Sequence, residues 1–236
     1  GSANTDAGSK NWSTVIKAMA IEEQTEYFGG PLIEVDAYAS TLFEQQAIGM
    51  RAARCYRIDR RADGQVWLWL EDLFDWVGPP WDIDQYLRAC KNVGHFAGFQ
   101  SIQDVPSAKF LSHDQGTKAS WSTVGRVFMD LGPDEVTESV LKTSLPDSAY
   151  KTVMKIGDAA IAASPLIQAS PQLLVHGDCH PRNLFLSHEG ADRQEAVAID
   201  WARIGVGRIG TDIGNLVGSG MTWHDDEFNM TLSSEK

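Results

Sequence analysis

The chain has 236 residues, a net charge of -12 at pH 7, and 43% hydrophobic and 22% charged residues. This composition is typical of a globular protein, and the length allows either one large domain or two lobes. The acidity disfavours a nucleic-acid partner, which requires a basic face, and no apolar run reaches the roughly 18 residues of a membrane span. Three widely spaced cysteines without a C-x-x-C pair and the absence of a signal-like start predict a cytoplasmic protein.

The first third of the chain has the pattern of a small sheet with one helix. Runs rich in β-branched and aromatic residues predict strands, and good helix formers with apolar residues three or four apart predict the helix. In chain order, we predict a loop or a disordered end at 1–10, a strand at 12–20, a helix at 32–50, and strands at 53–60 and 65–70 joined by a turn at 62–64. The irregular sequence at 73–80 then predicts a boundary between two parts of the chain.

The middle of the chain is predicted to be mostly helical. A helix is expected over 82–100, with Asp82 as its N-cap and apolar residues at helical spacing. Residues 101–120 have no regular pattern, and two further helices are expected at about 122–130 and 146–168.

The most informative stretch is Leu173–Trp201, in which polar residues follow short apolar runs. Its centre reads HGDCHPRN, and a second apolar run leads to Asp200. Asp178, Asn183 and Asp200 therefore lie at strand ends, where their oxygens can converge on one volume. Such hard oxygens suit Mg²⁺ together with phosphate, and a carboxylate not needed by the metal can accept a proton from an attacking hydroxyl. The pattern indicates phosphoryl transfer. Cys179 is interpreted as a filler position in this loop.

The sequence HGDCHPRN followed by IDW resembles the aminoglycoside phosphotransferase and choline kinase-like family, small-molecule relatives of protein kinases. The resemblance implies that Asp178 is the catalytic base, Asn183 a Mg²⁺ ligand and Asp200 the principal Mg²⁺ ligand. It also implies that His176 holds the loop. Asp212, in a Gly-rich segment where either Thr211 or Asp212 can cap a helix, would brace the loop through backbone hydrogen bonds.

The same resemblance assigns roles in the first part of the chain. Lys17, in the sequence WSTVIK, would hold the ATP phosphates. Glu34 would pair with Lys17, with Asp36 and Glu44 as rivals for that role. Glu71 and Leu73 fall where the hinge between kinase lobes reads the adenine edge.

The implied fold is a two-lobed α+β, protein kinase-like fold. Residues 1–74 would form a partial N-terminal lobe that binds the nucleotide, and residues 75–236 a mostly helical lobe that carries the catalytic loop and the metal site. No G-x-G-x-x-G motif precedes Lys17, and the segment before it is too short for two strands and a phosphate-covering loop. We therefore expect an incomplete N-terminal lobe and truncated C-terminal helices.

The predicted activity is transfer of the γ-phosphate of ATP, with Mg²⁺, to a hydroxyl of an aminoglycoside-, choline- or sugar-like molecule. Two alternatives remain open: a kinase-like module that binds nucleotide without turnover, and a metal-dependent hydrolase that uses His176, Asp178, His180 and Asp200. Against the hydrolase, Gly177 and Pro181 interrupt the helix that would place the two histidines on one face.

Overall fold

A computed structural model describes residues 1–5, 8–20, 31–44, 48–115, 165–188 and 195–222, with isolated positions between 151 and 163. The strands are β1 Ser2–Thr5, β2 Gly8–Asn11, β3 Thr14–Ala20, β4 Met50–Ala52, β5 Cys55–Arg60, β6 Gln65–Glu71, β7 Ser112–Gln115, β8 Gln172–Val175, β9 Leu184–Leu186, β10 Ala196–Ala198 and β11 Gly205–Arg208. The α-helices are α1 Pro31–Ala39, α2 Ile83–Gln100 and α3 Thr211–Thr222. Single 3-10 turns occur at Pro181–Asn183 and Trp201–Arg203.

Strands β3, β6 and β5 form an antiparallel sheet in that spatial order. Alternate residues of β6, Val66, Leu68 and Leu70, are buried on one face, where they cluster with Val35 of α1. Lys17 is paired with Leu68, so its side chain is on the same face. This alternation gives the sheet an inner face towards α1 and an outer face opposite to it.

The helix predicted over 32–50 is wrong in its length. Helix α1 ends at Ala39, and Met50 already belongs to β4. The hydroxyl of Ser40 donates to the carbonyl of Ala37 at 2.7 Å and accepts the N-H of Leu42 at 3.2 Å. Such local bonds compete with helix continuation, and apolar spacing alone does not reveal them.

Two mixed three-stranded sheets support the segments that carry Asp178 and Asp200. Strand β10 lies between β4, which is parallel to it, and β9, which is antiparallel. Strand β11 lies between β7 and β8 in the same manner. Helix α2 packs over these sheets, and α3 packs against α2 and the 3-10 turn Pro181–Asn183. The shared core includes Trp201, Leu184 and Leu216. The loop between β8 and β9 is therefore held at both ends by buried strands.

Other predictions are partly confirmed. The strand with Lys17, the strand β6 and helix α2 with Asp82 as its N-cap are confirmed. The loop or disordered end predicted at 1–10 is wrong, because β1 and β2 pair there in antiparallel orientation, and two strands do precede Lys17. Residues 101–120 were expected to be irregular, yet β7 lies there and pairs with the distant β11, a partner that local sequence does not indicate.

The predicted helix at 122–130 lies outside the described residues. Positions described between 151 and 169 are helical, as predicted for that segment. Among the described residues, no helix combines the length and apolar character needed to cross a membrane.

Candidate active site

The loop after β8 is held by backbone hydrogen bonds to Asp212. The carboxylate of Asp212 accepts the N-H of His176 at 2.8 Å and that of Gly177 at 3.0 Å. Asp212 is buried, and this burial raises the pKa of its carboxyl even though the two N-H groups favour the charged form. Helix α3 thus fixes where the loop leaves the sheet.

Gly177 has a φ of +80°, and a Cβ there would lie 2.2 Å from the carbonyl oxygen of Arg203. Two independent features therefore disfavour a side chain at position 177: the left-handed backbone conformation and the close approach of another chain segment. The contact brings the catalytic loop against the 3-10 turn Trp201–Arg203 that follows Asp200.

His176 is fully buried and both of its ring nitrogens have backbone partners. Nε2 lies 2.9 Å from the carbonyl of Ile199, and Nδ1 accepts the N-H of Asp178 at 3.2 Å. The ring also contacts that of Trp201, with centroids 4.5 Å apart. Since neither nitrogen faces a cleft, His176 is not placed to bind a metal, which removes a ligand from the hydrolase alternative.

Asp178 is partly accessible, with 34% of its side chain exposed. Its carboxylate lies 3.6 Å from a guanidinium nitrogen of Arg203 and 3.8 Å from Nε2 of His180. Burial lowers the pKa of His180, although the nearby Asp178 opposes this. The backbone carbonyl of Asp178 accepts the side-chain N-H of Asn183 at 3.0 Å. The carboxylate is thus oriented while its position remains open to a substrate.

Asp200 has φ 59° and ψ 61°, a left-handed conformation that is uncommon for residues with a side chain. It is the only non-glycine residue with positive φ in the described part of the chain. Such strain persists when surrounding contacts over-determine it, and it clusters at functional sites. Here the contact is with Lys17, whose Nζ donates to Oδ1 of Asp200 at 2.6 Å.

Lys17 also donates to Oε2 of Glu34 at 2.5 Å, and Oε1 of Glu34 accepts the N-H of Trp201 at 3.1 Å. Burial opposes the charge on Lys17, but Glu34 and Asp200 outweigh this effect and raise the pKa of its ammonium. Glu34, Asp36 and Glu44 are the acidic candidates for pairing with Lys17. The structure pairs Lys17 with Glu34, whereas Asp36 lies 3.9 Å from Arg60. Glu34 therefore links β3, α1 and the segment after Asp200.

A cleft of about 570 Å³ opens beside these residues. It brings Lys17 and Asp200 together with Asn183, Glu71 and Leu73. Its remaining lining residues are Val15, Ile16, Leu70, Asp72, Phe74, Phe185 and Ile199. The residues predicted for phosphate, metal and adenine contacts thus share one cavity, whereas Asp178, His176 and Asp212 are not among its lining residues.

The side chain of Glu71 faces a partner that the sequence did not suggest. Both of its oxygens accept from the guanidinium of Arg51, at 2.7 and 3.0 Å, and one also accepts the N-H of Arg54 at 3.0 Å. Burial of Glu71 favours its neutral form, but these donors outweigh it and lower the pKa of its carboxyl. Its carboxylate is committed to structure, so a ligand in the cleft would meet the backbone of this segment.

The cleft contains side chains that suit a metal ion. Asn183 and Asp200 present a carboxamide and a carboxylate to one cleft, a donor set that fits Mg²⁺ when phosphate and water complete the shell. Within the described residues, no group of three or more His, Cys, Asp or Glu side chains is arranged to hold a metal ion.

Cys179 is buried, and burial raises the pKa of its thiol well above the ordinary value, so it is an inert filler.

Sequence reasoning missed Arg203 and Arg51. Arg203 differs from other arginines in the sequence only by being the third residue after Asp200, and Arg51 lies between the helix predicted at 32–50 and the strand predicted at 53–60. Their partners, Asp178 and Glu71, are 25 and 20 residues away in sequence.

Comparison with known proteins supports the resemblance. Residues 131–234 match the model of the APH family, described as a phosphotransferase enzyme family. This range includes the catalytic loop, Asp200 and helix α3, so the resemblance predicted from H-G-D-x-x-x-x-N and I-D-W is confirmed for that part of the chain. No curated protein sequence matches the chain.

Three solved structures with similar folds are distant in sequence. Amicoumacin kinase hAmiN, in complex with AMP-PNP, Ca²⁺ and Ami, is 15% identical with a TM-score of 0.51, covering 96% of this chain and 65% of that one. Aminoglycoside phosphotransferase APH(3'')-Id from Streptomyces rimosus, in complex with ADP and streptomycin, is 14% identical with a TM-score of 0.53, covering 96% and 80%. The GDP complex of aminoglycoside 2'-phosphotransferase-IIIa is 13% identical with a TM-score of 0.51, covering 78% and 60%. The chain therefore has a protein kinase-like fold and spans about two thirds of the length of these proteins.

Proposed function

We propose that this chain transfers the γ-phosphate of ATP to a hydroxyl group of a small molecule. The observation that carries the proposal is the cleft in which Lys17, Asn183 and Asp200 face the segment from Glu71 to Leu73. An amine, a carboxamide and a carboxylate in one cavity suit phosphates and a cation, and its apolar lining residues, among them Leu70, Leu73 and Phe185, suit a base. Similar folds in complex with AMP-PNP, ADP and GDP support a nucleotide there.

In this proposal, the nucleotide lies between a lobe of residues 1–74 and a second, mostly helical lobe of residues 75–236. Backbone groups at Glu71 and Leu73 read the adenine edge. Lys17, oriented by Glu34, binds the phosphates. Asn183 and Asp200 would hold Mg²⁺, which would neutralise negative charge on the phosphates.

Asp178 is the proposed general base. The acceptor oxygen attacks the γ-phosphorus, the bond from that phosphorus to the bridging oxygen of ADP breaks, and the hydroxyl proton passes to the carboxylate. Arg203 and His180, within 4 Å of this carboxylate, orient it. His176 and Asp212 keep the loop in place without touching substrate. The acceptor is proposed only as a small alcohol, because the shared loop determines the reaction and the acceptor pocket determines the substrate.

The test is ADP formation with Mg²⁺ and ATP across a panel of aminoglycosides, choline and sugars. Asp178→Ala should reduce turnover by about 10²–10⁴-fold while leaving ATP affinity within a few-fold. Asp104→Ala, which removes an exposed carboxylate of the loop after α2, is the matched control and should behave as the wild type.

Equal turnover by Asp178→Ala and the wild type would remove Asp178 from the mechanism. Saturable ATP binding without turnover on any acceptor would favour the alternative of a nucleotide-binding module.

A further inference from the structure

A second cavity, of about 350 Å³, lies on the outer face of the β3–β6–β5 sheet. Trp69 of β6 is paired with Ile16 and Arg57, in alternation with the buried Leu68 and Leu70. Its side chain is therefore on the face opposite to Lys17. The cavity is lined by Trp12, Ser13, Thr14, Tyr56, Arg57 and Trp69 and shares no lining residue with the nucleotide cleft.

The walls of this outer pocket are aromatic and unusually exposed. Trp12 and Tyr56 are 55% and 61% exposed, although large aromatic side chains are ordinarily well buried. The pairing of β5 with β6 shifts register between Cys55 and Arg57, which makes Tyr56 an extra, bulged residue. Such bulges redirect a side chain and are frequent beside binding sites. Trp69 adds an indole N-H that is shielded from solvent and has no hydrogen-bond partner among the described residues.

The charge around the pocket is opposite to that of the chain. Residues 54–65 contain four arginines and two aspartates, in a protein whose net charge is -12. Arg57, which lines the pocket, is 67% exposed and lies 3.6 Å from Asp59, farther than a good hydrogen bond. Arg61 lies over the ring of Trp67, 4.2 Å from its centroid, on the same hairpin. Guanidinium groups beside exposed rings favour ligands that are both planar and anionic.

We propose that the outer pocket binds a planar aromatic anion, such as an aryl phosphate or aryl carboxylate, between Trp12, Tyr56 and Trp69. The rings stack on the ligand, and Arg57 pairs with its charge. Ser13 and Thr14 supply polar groups at the rim, although the hydroxyl of Thr14 already donates to the carbonyl of Leu70 at 2.6 Å. The site does not depend on the proposed phosphotransfer, because it lies on the opposite face of the sheet.

The experiment is titration of the full chain with 1-naphthyl phosphate, followed by tryptophan fluorescence and calorimetry. Inorganic phosphate supplies the charge without the ring, and 1-naphthol supplies the ring without the charge. The aryl phosphate should bind saturably and at least about tenfold more tightly than either, since only the aryl phosphate combines stacking with ion pairing. Comparable binding of 1-naphthol would overturn the charge part of the proposal.

Substitutions in and near the outer pocket test whether the ligand binds there. Arg57→Gln and Tyr56→Ala should each weaken binding about fivefold or more. Arg60→Gln, on the same strand and 57% exposed but not lining the pocket, should leave it within about twofold. Equal loss in Arg57→Gln and Arg60→Gln, loss in Lys17→Ala instead, or no saturable binding at millimolar concentration would overturn the proposal, and the Lys17 result would move the ligand to the nucleotide cleft.

Discussion

At the scale of single residues, Gly177 is the position with the least freedom in the catalytic loop. Its positive φ and the approach of the Arg203 carbonyl act together, since a Cβ would lie 2.2 Å from that oxygen. Gly210 separates the two effects, because it has a φ of +93° but open space around its Cβ position.

Gly210→Ala should therefore cost only the left-handed backbone strain, about 1–2 kcal/mol. Gly177→Ala adds steric overlap and should cost about 2–5 kcal/mol. Urea unfolding monitored by tryptophan fluorescence measures both free energies. Equal costs for the two variants would mean that the contact with Arg203 does not constrain the loop.

At the scale of elements, Lys17 joins three segments that are far apart in sequence. It lies on β3, pairs with Glu34 of α1 and pairs with Asp200 after β10. The charged ammonium therefore stabilises the arrangement of these elements, and the raised pKa of Lys17 is the thermodynamic expression of that stabilisation.

This link predicts a pH dependence. Despite the opposing effect of burial, Glu34 and Asp200 raise the pKa of Lys17 in the folded chain above its ordinary value. The stabilisation is thus fully present below about pH 10.5 and is lost as the pH rises through the folded-state pKa. The stability difference between the wild type and Lys17→Met should be constant from pH 7 to about 10 and then shrink. Lys91→Met, at an exposed position of α2, is the control, and parallel curves for both variants would contradict the link.

The sequence predicted these elements where local signals are strong. Asp82 predicts the start of α2, and the alternation of Val66, Leu68 and Leu70 with other residues predicts β6. It failed where the determining interaction is a hydrogen bond or a distant partner, as at Ser40, which ends α1, and at Ser112–Gln115, which pairs with β11. Polar residues at 2–11 gave no strand signal, because β1 and β2 pair through backbone groups.

The candidate site was more predictable than the fold around it. Chemistry limits which side chains can serve phosphate and a cation, so Asp178, Asn183 and Asp200 stand out in the sequence. The side chains that orient them do not, since an arginine such as Arg203 or Arg51 is usually a solvated surface residue. Only the folded chain shows that these arginines face Asp178 and Glu71.

At the scale of the whole molecule, the cleft lies where the β3–β6–β5 sheet meets the segments that carry Asn183 and Asp200. Lys17 and Leu73 come from the first part of the chain, and Asn183 and Asp200 from the second. The bidentate pair of Arg51 with Glu71 also crosses this junction, because Arg51 belongs to β4, which pairs with β10. A ligand that bridges the two sides should therefore stabilise the entire folded chain.

The most direct measurement is thermal unfolding of this chain with Mg²⁺ and ATP, with Mg²⁺ alone, and with ATP and EDTA. A ligand at about 100 times its Kd adds about 2.7 kcal/mol to the free energy of unfolding, so the first condition should raise the Tm by several degrees and the other two by much less. Asp200→Ala should abolish the increase, and Asp104→Ala should retain it. A cooperatively folded wild type whose Tm does not respond to Mg²⁺ and ATP would contradict the proposed nucleotide site.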